Sequence, residues 1–382
     1  TSTLDDNRKE NRTLHLMSEE DALSKVQKYL HRQGIDRLSP IARKVEREGT
    51  PNRRNVVLVF MESMSANLMG TFGSDKKLTP YLDSLYQQSL SFSHFYSSGI
   101  HTNHGIYSTL YSFPAIMKRN AMKGSVIPVY SGLPTVLQEN GYCNLFFMTH
   151  ESQYDNMNAF LRTNGFDEIY AQENYPSEKV VNSFGVQDDF MYQYALPILN
   201  ERAGTGNPFF SVLLSISNHP PYVIPPYFHP HSDVLEEQIV EYADWSIRQF
   251  MQAAEKQPWF DNTIFVFLGD HGKMVGTPEC EMPQSYNHIP LMIYGKDIKP
   301  GVYDGFGGQV DVSPTLLGLL NISYLQNNFG VNLLEEERPC MFFTADNLIG
   351  ARDSVNMFIY SPDSQQEFKY KLEEGKLHAA TG

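Results

Sequence analysis

The chain has 382 residues, of which 41% are hydrophobic and 19% charged, with 24 Phe and 22 Tyr. That is enough apolar side chain for a sizeable core, and it excludes a disordered or fibrous chain. Lys and Arg number 30 against 44 Asp and Glu, for a formal net charge of −14; this excludes a general affinity for nucleic acid or anionic lipid and requires any anionic substrate to be drawn by a local site.

At ~150 residues per domain, the length fits roughly two to three units or one large α/β domain with an appendage. Residues 1–54 are polar and highly charged. A helix is expected over residues 18–33, with Ala22, Val26 and Leu30 on one stripe, acidic residues in its first turn and Gly34 as its stop. This segment reads as a linker or docking helix, or simply as a solvated helix. From Asn55 the character changes. Near-continuous apolar runs at 55–61, 143–148, 209–216, 263–268 and 290–294 suit strands buried on both faces. Helical patterns fall between them. Thr79-Pro80 opens one, with Leu82, Leu85 and Tyr86. Residues 133–140 end at Gly141. Ile239, Tyr242, Ala243, Ile247, Phe250 and Ala254 form an apolar stripe, and Ser313-Pro314 starts a helix with Leu316, Leu317 and Leu320. The alternation over 55–324 predicts an α/β domain with a mostly parallel central sheet and helices on both faces. Residues 325–382 change again. Short strands at 341–343, 355–360 and 368–372 predict a small C-terminal antiparallel β subdomain. No apolar run approaches the ~18 residues that cross a bilayer. None of Cys143, Cys280 and Cys340 lies in a CxxC pair, which argues against a thiolate zinc cluster.

The informative residues stand at the C-terminal ends of the apolar runs. Glu62 comes after 56–61, His150 after 145–149, Asn218-His219 after 209–217, and Asp270-His271 after 264–269. In an open parallel sheet the C-terminal strand ends share one edge, where ligands bind. Four segments therefore bring metal-ligand or acid–base side chains to one place. Carboxylate and imidazole suit Mn²⁺, Zn²⁺ and related ions. Alone, Asp270-His271-Gly272 reads as an ordinary turn; behind a buried strand, with Glu62 at another strand end, it reads as a metal site. Residues 97–110 (SSGIHTNHGIYSTL) form a loop and a helix start. Thr102 near that N-terminus could attack phosphorus if a cation holds its hydroxyl as an alkoxide, or could simply cap the helix. Ser97, Ser98 and Ser108 are alternatives. His101 and His104 read as exposed loop histidines, and His229 and His231 as surface. His288 either enters the site or caps a turn.

The order Glu62-Ser63, Thr102, Asn218-His219-Pro220, Gly269-Asp270-His271-Gly272, His288-Ile289-Pro290 and the 311–317 segment DVSPTLL resembles the sulfatase-like alkaline phosphatase superfamily. It is most similar to the extracellular domain of the lipoteichoic acid synthase and phosphoglycerol transferase branch, over about residues 53–322. The resemblance implies one divalent metal ion, with Mn²⁺ preferred over Mg²⁺ or Zn²⁺. It implies Glu62, Asp270, His271 and the Thr102 hydroxyl as ligands, and Thr102 as nucleophile. His150 and His219 would contact substrate, and His288 is carried as a third substrate-binding candidate. Three departures stand out. The branch's Phe-Trp-Asn-Arg segment is replaced by ESQYDNMN at 151–158. No cysteine has the C/S-x-P-x-R context of true sulfatases. Lys273-Met274 stands where phosphoethanolamine transferases carry Glu-Ser after Asp-His-Gly.

The resulting expectation is a metal-dependent transferase that moves a phosphoglycerol-type headgroup from a phospholipid to an acceptor alcohol or glycan. A phosphodiesterase or phosphatase of the same superfamily, and a non-catalytic lipid- or glycan-binding domain, are the alternatives. The resemblance also implies an extracytoplasmic location, with membrane anchorage through a segment absent from this chain.

Overall fold

A computed structural model of the chain describes residues 14–35 and 37–380; residues 1–13 of the expected N-terminal segment lie outside them. Ser18 accepts a hydrogen bond from the Asp21 N–H at 3.2 Å and so starts helix α1 (Glu19–Leu30), which the chain leaves through a left-handed His31. Arg32 then donates to the carbonyls of Ile41, Asn328 and Gly330. Strand β1 (Arg43–Val45) pairs antiparallel with Tyr324–Gln326. The N-terminal segment is thus tied by hydrogen bonds to the region just after the main domain.

In chain order the next elements are β2 (Asn55–Met61), α2 (Pro80–Gln88), β3 (Leu90–Tyr96), α3 (Thr102–Tyr111), α4 (Leu133–Glu139), β4 (Cys143–Phe147), α5 (Met157–Thr163) and β5 (Glu168–Tyr170). A small ribbon, β6 (Val180–Asn182) and β7 (Gly185–Val186), precedes α6 (Asp188–Ala203), β8 (Phe209–Leu214), α7 (Leu235–Ala254) and β9 (Thr263–Gly269). Then come α8 (Gln284–Asn287), β10 (Leu291–Tyr294), β11 (Gly301–Gly308), α9 (Val312–Leu319) and β12 (Tyr324–Gln326). Eight strands form one sheet in the order β11-β3-β10-β9-β2-β8-β4-β5. All its pairings are parallel except those of β10, which runs antiparallel to β3 and β9.

Why the sheet is covered on both faces can be read from β2. Val57, Val59 and Met61 pack with residues of α2, α6 and α7. Val56, Leu58 and Phe60 pack with residues of α3, α4, α5 and α9. Successive side chains point to opposite faces, and every residue of β2 is buried. A strand with two buried faces must be apolar throughout, which is why these runs show no alternation.

The C-terminal sheet, β13 (Met341–Ala345), β14 (Leu348–Arg352), β15 (Asn356–Ser361), β16 (Gln366–Glu373) and β17 (Lys376–Ala379), is a five-stranded antiparallel meander. Met341, Phe343, Met357 and Ile359 pack with Tyr96 and Met282 of the main domain. Next to this junction Arg338 donates to both carboxylate oxygens of Asp311, at 2.7 and 2.5 Å, and both side chains are buried. Removing one partner of such a pair leaves a buried charge without compensation. Arg338→Ala should therefore cost about 3–5 kcal/mol, read as a lower denaturant midpoint; an unchanged midpoint would contradict this.

Candidate metal and nucleophile site

Glu62, Asp270 and the Thr102 loop all leave the same edge of the sheet. β2 and β9 are parallel neighbours in register up to Met61 and Gly269, so Glu62 and Asp270 emerge side by side. Ser63 has a φ of 52°, the left-handed region that a serine enters only when its surroundings hold it there. This turn aims the Ser63 N–H at Asp270 Oδ1, at 2.9 Å. The His271 N–H reaches the same oxygen at 2.7 Å. Asp270 Oδ2 is left to face Thr102, whose Oγ1 donates to it at 2.7 Å and lies 3.2 Å from Glu62 Oε2. Thr102 is the first residue of α3, after an extended His101. Gly105 lets that helix approach: a Cβ there would stand 2.4 Å from the Asp270 carbonyl oxygen.

His271 completes the group. Its Nδ1 bonds the Gly272 carbonyl at 2.7 Å. Nε2 therefore faces the carboxylates, 3.5 Å from Glu62 Oε1 and 3.4 Å from Asp270 Oδ2. One ligand atom from each of Glu62, Asp270 and His271 falls within 4.8 Å of the others. The electrostatics are unbalanced. Burial works to raise Glu62, but His271 holds it down to about 2. Burial, and then Glu62, push Asp270 up to about 8. Against its own burial, His271 is lifted to about 10 by Asp270 and Glu62. His271 Nε2 thus faces both carboxylates across the space that a cation would share with them. Two carboxylates, one imidazole and one hydroxyl form a donor set that suits Mn²⁺, Mg²⁺ or Zn²⁺, so the residues present fit the ion that the sequence implies.

Glu62, Thr102, His150, His219 and His271 line one cleft of about 320 Å³. His150 and His219 lie just past the ends of β4 and β8, and both place Nδ1 on the carbonyl of the next residue, at 2.9 and 2.7 Å. That bond fixes each ring with Nε2 on its far side. Burial lowers the pKa of His150.

The structure corrects the reading of His288. Because β10 is antiparallel, its start does reach this edge of the sheet, but the ring turns away from the cleft. Its Nε2 bonds the Ser93 carbonyl at 2.8 Å, and it stacks on Tyr96 and meets the edge of Phe72. His288 is therefore not among the residues that line the cleft. His101, expected as an exposed loop residue, is exposed but lines the cleft and bonds Asp346 of the β13–β14 turn at 2.6 Å. His104, expected alongside it, is instead buried and bonds the Arg119 carbonyl. The alternatives to Thr102 are otherwise engaged. Ser97 donates to the Gly99 carbonyl, Ser108 to the Phe113 carbonyl, and Ser98 lines a separate apolar groove.

Two further residues are not marked as functional by the strand-end pattern. Gln309, fully buried, donates to the Gly269 and Asp270 carbonyls and accepts from the Ser98 N–H, so it clamps the end of β9 to the Thr102 loop. Lys273 lines the cleft with its Nζ held 2.6 Å from Asn218 Oδ1 and 5.4 Å from the Tyr222 ring centre. Asn218 in turn donates to the Glu62 and Ser63 carbonyls.

A family model described as Sulfatase matches residues 54–322. The chain is 25% identical over 324 residues to the lipoteichoic acid synthase-like protein YvgJ of Bacillus subtilis (strain 168), covering 76% of this chain and 51% of that protein. It is 24% identical over 400 residues to lipoteichoic acid synthase of Staphylococcus aureus (strain NCTC 8325 / PS 47), covering 92% and 58%. The chain thus spans about half the length of the curated relatives it matches. Among solved structures, a protein in the alkaline phosphatase superfamily from Vibrio parahaemolyticus superposes with a TM-score of 0.87 at 27% identity, covering 96% of this chain and 91% of that one. The lipoteichoic acid synthase LtaP from Listeria monocytogenes shares the fold, with a TM-score of 0.76 at 21% identity over 94% and 92% of the two chains.

The donor set makes a direct prediction. Mn²⁺ at a hundred times its dissociation constant should stabilise the protein by about 2.7 kcal/mol, seen as a rise in melting temperature that a chelator reverses. Asp270→Asn should abolish the rise. Thr102→Ala should keep most of it, because three ligands remain. A melting temperature indifferent to divalent ions would contradict the assignment.

Proposed function

The chain belongs to the sulfatase family, matched over residues 54–322, and on that premise we propose that it transfers a phosphoglycerol-type headgroup from a phospholipid to an acceptor hydroxyl, with Thr102 as nucleophile. The observation that carries the reading is the position of Thr102 Oγ1, between two carboxylates that also face His271. The lipoteichoic acid synthases among the relatives support the class of substrate. The proposal includes an extracytoplasmic location and contact with a phospholipid surface; both rest on the family resemblance.

When bound, a divalent cation supplies charge that lowers the pKa of the hydroxyl and offsets the phosphoryl oxygens. The residues do the rest. Thr102 Oγ1 passes its proton to Asp270 Oδ2, which already accepts from it at 2.7 Å, and attacks phosphorus as the bond from phosphorus to the lipid oxygen breaks; the proton returns to Oγ1 when Thr102 is freed. His219, fixed by its Nδ1 bond, presents Nε2 to give the lipid oxygen a proton and later to take one from the acceptor, while His150, which burial holds toward its neutral form with Nδ1–H on the Glu151 carbonyl, offers Nε2 as a hydrogen-bond acceptor to the substrate. The acceptor hydroxyl then attacks the phosphothreonine and frees Thr102. Lys273 provides a cation to a cleft to which 151–158 brings neither Trp nor Arg. Its nitrogen, steered by Asn218, faces the non-bridging oxygens of the transferred phosphate.

Turnover of a phosphatidylglycerol-type donor, assayed with and without an acceptor alcohol, tests the reading. Product carrying the acceptor marks transfer, and release to water marks the hydrolytic alternative. Thr102→Ala should lower turnover by about a thousandfold or more with metal content intact; retained activity would refute the nucleophile. Lys273→Met should lower kcat/KM by roughly a hundredfold, with partial recovery in Lys273→Arg.

A further inference from the structure

The segment between α3 and α4 has an unusual composition for this chain. Residues 84–138 contain no Asp or Glu, yet hold Lys118, Arg119 and Lys123, in a protein of net charge −14. The same segment displays apolar side chains to solvent: Val126 is 79% exposed, Val129 75% and Ile116 51%. Lys118, Arg119 and Lys123 are exposed beside them. Buried Ala115 and Met122 anchor the segment, so the display does not come from a loose end.

The loop also borders the cleft. The Arg119 carbonyl bonds His104, whose ring packs on cleft-lining His101. Asn156 donates to the Met122 carbonyl at 2.7 Å, and Lys123 pairs with cleft-lining Asp155 at 3.1 Å. At its start, Pro114 lines an apolar groove with Tyr29 and Phe342, which extends the apolar surface beyond the loop.

We propose that residues 113–130 form a docking loop that seats the mouth of the cleft on an anionic lipid bilayer. Exposed cations without acidic neighbours in their own segment are drawn to anionic headgroups. Aliphatic tips flanked by such cations insert at the boundary between headgroup and acyl chain. A protein partner would have to match the aliphatic tips and the cationic pair Lys118 and Arg119 together, whereas an anionic membrane offers both complements. The proposal deepens the headgroup-transfer reading and rests on it only for why the cleft should face lipid.

The test is sedimentation of the full chain with vesicles of phosphatidylcholine alone and of an equimolar mixture of phosphatidylcholine and phosphatidylglycerol. The wild type should bind the mixed vesicles in preference, and added salt should weaken binding. Lys118→Glu with Arg119→Glu should reduce binding by about tenfold or more, as should Val126→Asp with Val129→Asp. All four side chains are exposed, so circular dichroism should show both variants folded. Turnover of a water-soluble phosphodiester should be unchanged in the variants, while turnover of the vesicle-embedded donor falls with binding. Wild type that ignores anionic vesicles, or variants that bind them as wild type does, would overturn the loop assignment. Such a failure with soluble turnover intact leaves the transferase reading standing. Binding without any turnover sinks that reading and leaves the loop standing.

Discussion

Two carboxylates buried against each other impose the constraint on which this fold turns. Glu62 and Asp270 are almost inaccessible to solvent and offer ligand atoms within 4.8 Å of one another. Two like charges that close repel each other, on top of the cost of taking each from water, which is why burial and Glu62 push Asp270 up. A protein keeps such a pair when a positive charge occupies the space between them. His271 and the Thr102 hydroxyl converge on that same space, which is where the proposed function places the cation and the nucleophile.

The sheet provides the geometry. β2 and β9 run parallel and in register, so their ends cannot drift apart without breaking the ladder. Backbone N–H groups of Ser63 and His271 hold one face of Asp270 and leave the other for Thr102. Gln309 ties the end of β9 to the loop that carries Thr102. Three histidines, His150, His219 and His271, use one device: Nδ1 bonds the carbonyl of the next residue in the chain. Each imidazole is thereby fixed by its own backbone, and its Nε2 remains for the cleft.

Much of this was legible because the sheet is parallel. Glu62, His150, His219 and Asp270-His271 each end an apolar run, and parallel strands bring such ends to one edge. Other features left no such trace. β3 has partly buried polar residues and β11 is rich in glycine, so neither reads as a continuous apolar run. In the C-terminal sheet, β14 and β17 leave no such run either, since Gly350 interrupts Leu348–Arg352 and Lys376–Ala379 is short and mostly exposed. His288 misleads because position at the edge says nothing about where a ring points; Ser93 and Tyr96 claim it. Lys273 and Gln309 act through contacts distant in sequence, to Asn218 and to the Ser98 loop, which spacing alone does not encode. Thr102 could be separated from its neighbouring serines only once their hydroxyls were seen bonding backbone carbonyls or facing another groove.

The most direct test is the anomalous scattering of crystals grown with Mn²⁺, recorded at the manganese absorption edge. One strong peak in bonding contact with Glu62, Thr102, Asp270 and His271 is the predicted result. A cleft without a peak, or a manganese ion held elsewhere while His271 remains wedged between the two carboxylates, would contradict the account.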